Sequence, residues 1–168
     1  MKTLGVAYRS QLDNHHNPYG SCNVTSVAMC LGFFGVKSQD PNEQLEDELY
    51  RYMRDNSLSR HSPHDLAIVV RKYGCVNRFT FDATIDQVKS AIDSGNPCIL
   101  HGYFTRFGHI VVAVGYNSAG LLIHDPYGEY FEDGYRTDIS GAWQRYSYDL
   151  IRRVCIPDGQ FWVHFVSK

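Results

Sequence analysis

The chain has no run of lysine or arginine that could track a phosphate backbone, and its formal net charge is only -2. Nucleic acid is therefore excluded as an expected partner. No apolar stretch is long enough to cross a bilayer, so membrane insertion is not expected. Met1-Lys2-Thr3-Leu4-Gly5-Val6 lacks the apolar core of an export signal, and the chain is expected to be cytoplasmic as synthesised, unless a secretion or lysis partner moves it. No Cys-x-x-Cys pair occurs, which removes the common structural zinc sites. The five cysteines (Cys22, Cys30, Cys75, Cys98 and Cys155) are odd in number and irregular in spacing, so reduced thiols are expected rather than a disulfide framework. No repeat and no low-complexity linker interrupts the chain. Residues 1–168 are expected to form one domain around one core.

What is present is an ordinary globular balance, 43% apolar and 20% charged, enriched in aromatics: twelve Tyr, nine Phe and two Trp. Such rings line grooves for extended polymers, and more often pack cores and sheets. Gly5–Ser10 is read as a short strand, followed by a polar loop over Gln11–Gly20, rich in Asn, Asp, Pro and Gly. A helix is expected to open near Ser21–Asn23, because Val24, Val27, Ala28 and Leu31 recur on one stripe before Gly32 and Gly35. A second is expected from Asp40-Pro41, a third from Ser62-Pro63 to Gly74, and a fourth from Thr84, whose spacing to Gln87 matches a capping box. After Pro97 the pattern turns to strands: Cys98–His101, the β-branched run Ile110–Val114, Leu121–His124 after an Asn117–Gly120 turn, and Phe161–Val166. Helices first and strands last indicate an α+β fold, with N-terminal helices packed on a C-terminal antiparallel sheet.

Four residues in this layout carry chemistry. Cys22 opens the first helix, where the positive end of the helix dipole favours the thiolate over the unreactive thiol. The other four cysteines are read as packing. His109 stands at the mouth of an apolar strand, rigidly held yet able to reach a groove. The following hairpin carries Asp125 back toward His109, where an acid can orient the imidazole, although a turn-forming Asp before Pro is also a common use of that dipeptide. Gln11, in the loop before Cys22, offers an amide donor for an oxyanion alongside the Cys22 N–H. Each residue alone has an ordinary structural explanation. The order Gln, Cys, His, Asp, with nucleophile on a helix and base and orienter on a later hairpin, has none.

At these residues the sequence resembles a known family. Ser10-Gln11-Leu12-Asp13-Asn14 followed by Ser21-Cys22-Asn23-Val24-Thr25-Ser26-Val27-Ala28-Met29 is similar to the N-terminal signature of papain-like cysteine peptidases related to the bacteriocin (double-glycine leader) processing peptidases. Gly108-His109 with Gly115-Tyr116, and Asp125-Pro126, resemble its His and Asp motifs. The resemblance runs from about Val6 to about Gly141 and implies a papain-like fold. It implies Cys22 as nucleophile, His109 as base and acid, Asp125 as orienter and Gln11 in the oxyanion hole. Asn23 departs from the family's frequent Gly, and Asn tolerates unusual backbone angles. The leader-processing members are usually fused to a transporter. The stand-alone relatives include cell-wall-directed and phage-associated domains, which implies a peptide or peptidoglycan substrate and allows virion association. The chemistry needs no metal or cofactor. An amidase or deamidase using the same residues, or a silent peptide- or glycan-binding domain, remains open at this point.

Overall fold

A computed structural model describes residues 2–132 and 134–168. In chain order the elements are β1 (Lys2–Thr3), α1 (Cys22–Phe33), α2 (Leu45–Asp55), α3 (Pro63–Lys72), β2 (Val76–Thr80), α4 (Ile85–Asp93), β3 (Cys98–Gly102), β4 (His109–Tyr116), β5 (Gly120–His124), β6 (Glu129–Phe131), β7 (Gly134–Arg136), β8 (Gln144–Ser147), α5 (Tyr148–Cys155) and β9 (Val163–Ser167). Seven strands form one antiparallel sheet in the order β2-β9-β3-β4-β5-β8, with β1 added to β4, and β6-β7 form a separate ribbon. The expected α+β layout holds.

Local chemistry explains the helix boundaries. Pro63 pre-sets the first turn of α3, and Ser62 accepts the Asp65 N–H. Thr84 and Gln87 form the reciprocal capping box of α4. At the end of α1, Gly35 takes φ +89, which lets the Val36 N–H reach the Leu31 carbonyl at 3.0 Å. α1 is almost wholly buried, lying between the sheet and the layer of α2 and α3. Leu31, Leu49, Met53, Val111, Val112 and Phe161 all belong to one contiguous buried cluster.

Four sequence readings need correction. The strand expected over Gly5–Ser10 is instead the two-residue β1, Lys2–Thr3; the Val6 N–H folds back onto the Leu4 carbonyl and ends the ladder. The second helix begins at Leu45 rather than Asp40-Pro41, because Asp40 spends its side chain and carbonyl on the Asn42 and Glu43 N–H groups as a turn. β2 falls between α3 and α4, so helices and strands are not cleanly segregated in sequence. The β6-β7 ribbon, β8 and α5 were not foreseen: their residues are largely polar, and β6 and β7 are only three residues long.

One irregularity matters for function. β4 and β5 start from the turn with Tyr116 opposite Leu121, but farther along Val112 faces His124, a one-residue shift across a bulge. Without it Asp125 would pair opposite Val112. The bulge carries Asp125 one residue nearer the start of β4, where His109 lies.

Candidate active site

α1 and β4 bring the first two chemistry-bearing residues together. Ser26 lies one helical turn after Cys22, on the same face, and donates to the Ile110 carbonyl at 3.2 Å. Ile110 follows His109, so this bond fixes the start of α1 beside the start of β4. Ser21 makes no side-chain cap to α1; the Val24 N–H is taken by Asn23 Oδ1 instead. Cys22 is the one cysteine that is partly exposed; the other four are buried. Burial pushes the thiols of Cys30, Cys75 and Cys155 up, and that of Cys98 to about 12. Those four are held as inert thiols.

His109 is buried between two partners. Its Nε2–H donates to Asp125 Oδ1 at 2.7 Å, and it lines the groove together with Cys22. Burial pulls the imidazole pKa down, but the charges and hydrogen bonds of Asp125 and Cys22 outweigh it and raise it to about 10. Asp125 is 0% exposed. It also accepts the Tyr127 N–H at 3.0 Å and the hydroxyls of Tyr135 and Tyr146 at 2.8 and 2.7 Å.

Gln11 is buried in a short turn, Gln11–Asp13, and lines the same groove as Cys22. Its amide donates one N–H to the Pro18 carbonyl at 2.9 Å, which sets the side chain's orientation and leaves a second N–H available. Its backbone N–H donates to the Pro126 carbonyl at 2.9 Å, tying this loop to the residue after Asp125. Asn14 pins the loop to α1 by donating to Ser21 Oγ and Thr25 Oγ1. All four residues singled out in sequence thus converge on one place. Asn23 also lines the groove, in ordinary helical backbone rather than at a positive φ.

The groove has a volume of about 570 Å³. From Gln11 and Cys22 it runs past Asn23 and Arg60 to His101 and Trp162, with Tyr19, Tyr103 and Phe107 exposed along it. His101 meets His164 at 2.9 Å between Nε2 atoms, and burial lowers both, His101 to about 4. Of the other histidines, His61 also lines the groove. His124 donates to the Val6 carbonyl and accepts the Trp143 N–H. The backbone N–H groups of His15 and His16 both donate to the Asp47 carboxylate. Tyr135 and Tyr146 were missed in sequence. They come from strands with little periodicity, and nothing in their spacing marks two tyrosines among twelve.

A cysteine at a helix start, an imidazolium beside it and a buried carboxylate behind it are the parts of a nucleophilic acyl-transfer site. The model of the Peptidase_C39 like family matches residues 3–155. The chain belongs to the Peptidase_C39 like family. It is a cysteine peptidase, a hydrolase with an α+β, papain-like fold. Among solved structures, this C39-like peptidase is similar to a C39-like peptidase from Bacillus anthracis, at 16% identity and TM-score 0.65, over 100% of this chain and 98% of that one. It is also similar to a double glycine motif protease from an AMS/PCAT transporter in complex with the leader peptide, at 16% identity and TM-score 0.60, over 100% and 99% of the two chains. No curated protein matches the chain. Among the described residues, no helix is long and apolar enough to cross a membrane.

Proposed function

We propose that this C39-like peptidase hydrolyses peptide bonds through Cys22, His109 and Asp125, with Gln11 and the Cys22 N–H as the oxyanion hole, and that residues 1–168 act as one domain. The observation that carries the proposal is His109, paired through Nε2 with the buried Asp125 at 2.7 Å and lining the same groove as Cys22, with both residues raising it to about 10. Such an imidazole holds a proton at neutral pH and keeps it ready for a leaving group. Once His109 has taken the Cys22 proton, attack forms an Sγ–C bond at the scissile carbonyl while the oxyanion rests on Gln11 Nε2 and the helix-start N–H. The C–N bond then breaks as His109 gives its proton to the leaving amine. Water, deprotonated by His109, attacks the thioester, and Sγ leaves as thiolate with the imidazolium restored.

The substrate proposed is an extended peptide, with the stem or cross-bridge peptides of peptidoglycan as its class. The exposed rings of Tyr19, Tyr103 and Phe107 along the groove support a polymeric ligand. The leader-peptide complex of the double glycine motif protease supports a peptide one. The test is incubation with purified peptidoglycan and with a peptide library, followed by mass spectrometry of new termini. Termini that appear with the wild-type protein and vanish with Cys22→Ala support the reading. Deamidated products without chain cleavage replace it with amidase chemistry. No Cys22-dependent product from either substrate leaves a binding role.

A further inference from the structure

The Asp125 carboxylate is saturated with donors. Oδ1 takes the His109 Nε2–H and the Tyr127 N–H, and Oδ2 takes the Tyr135 and Tyr146 hydroxyls. A carboxylate has about four acceptor positions, so all are filled within the fold. The two phenols come from separate elements, Tyr135 from β7 and Tyr146 from β8. Tyr146 is itself fixed by the Tyr130 N–H at 3.2 Å. Tyr135 also places its ring 5.4 Å from that of His109 at 71°, closing the outer side of the imidazole. A buried aspartate needs one partner to orient a histidine; here two more side chains have been brought in from different strands. Burial and the charge of Asp125 push both phenols up, so each remains a donor at every working pH.

We propose that Tyr135 and Tyr146 are positioning residues, a pair of phenol donors that hold the Asp125 carboxyl group aimed at His109 and through it fix the imidazole beside Cys22. Losing a donor to a charged group in a dry site makes that charge harder to hold. The carboxylate then gains freedom to turn away from Nε2, and His109 loses part of the partner that raises it. The proposal deepens the peptidase reading, but its physical core is measurable without a substrate.

The experiment uses Tyr135→Phe and Tyr146→Phe, which keep the rings and remove only the hydroxyls. Each is titrated by NMR with nitrogen-labelled histidine and assayed on whichever peptide the wild type cleaves. The His109 Nε2 signal is expected to show a weakened Asp125 pairing, with His109 losing its proton about one pH unit lower than in the wild type. kcat should fall about tenfold with KM little changed. In an Asp125→Asn background the same Tyr→Phe changes should add nothing further. Should Tyr146→Phe fail to fold, 3-fluorotyrosine at 146, a stronger donor, should move the transition the opposite way. Unshifted His109 titrations in folded variants, or losses that persist undiminished beside Asp125→Asn, would reduce the tyrosines to packing. Shifted titrations in a protein that cleaves no peptide would keep the positioning role and remove the peptidase reading instead.

Discussion

Gln11 presents the clearest division of labour within one side chain. One amide N–H is committed to the Pro18 carbonyl, which holds the group in place, and the other is the donor proposed for the oxyanion. An oxyanion donor acts on the transition state and hardly at all on the resting substrate. Gln11→Ala is therefore expected to lower kcat by about 10²–10³-fold with KM nearly unchanged, measured by steady-state cleavage, and to leave some activity because the helix-start N–H persists. A comparable rise in KM would instead place Gln11 in substrate binding. At this scale the sequence was readable where residue type and position coincided: a Cys opening a helix, a His opening a β-branched strand, an Asp closing the hairpin. It was silent on Tyr135 and Tyr146, because a hydroxyl's target is set by tertiary packing that leaves no periodic trace.

The β4–β5 hairpin with the loop beyond it decides where Asp125 points. The bulge at Val114 sets its register, and the Gly141 carbonyl accepts the Asp125 N–H at 2.9 Å. A Cβ at 141 would run into the Asp125 carbonyl oxygen. Gly141→Ala should therefore displace Asp125 and destabilise the fold by about 1–3 kcal/mol, as overpacking does, with a loss of activity larger than the stability loss explains. Gly5→Ala is the control, since open space surrounds that position. Thermal melts and cleavage rates of the two variants check this, and equal behaviour would show that the Asp125–Gly141 approach is unimportant. Such a bulge was invisible in sequence: the run Ile110–Val114 declares a strand, but a one-residue slip costs no hydrophobicity in a strand buried throughout. α5 was missed although Leu150, Ile151, Val154 and Cys155 recur at helical spacing, because it is only eight residues long and follows directly on a short polar strand.

For the molecule as a whole, two sets of buried imidazoles link stability to pH in opposite directions. His101 and His164 are lowered by burial, His101 to about 4. The unfolded chain, with histidines near 6.5, then binds more protons below that pH. Their contribution is full above about 6.5 and is lost as the pH falls, for His101 through about 4. His109 is raised to about 10, so its contribution is full below about 6.5 and is lost as the pH rises through about 10. Tm is expected to peak near neutrality and fall on both sides. His109→Gln should flatten the alkaline slope, and His164→Gln the acid slope. Unchanged slopes in both variants would mean that other groups dominate. The α+β architecture was legible because helical and strand periods are strong in α1, α3, α4, β3, β4 and β5. The placement of β2, β6, β7 and β8 was not, because sheet order and short polar strands are set by partners distant in sequence.

The account rests on Cys22 being activated by His109 and Asp125. The most direct measurement is alkylation with a stoichiometric thiol reagent at neutral pH, mapped by peptide mass spectrometry, with peptide cleavage followed in the same samples. The prediction is that Cys22 alone is modified rapidly, that activity disappears in step with its modification, and that the four buried thiols react far more slowly. His109→Ala should slow the Cys22 reaction to the rate of an ordinary thiol. Equal, slow labelling of all five cysteines, or full activity in protein whose Cys22 is blocked, would contradict the account.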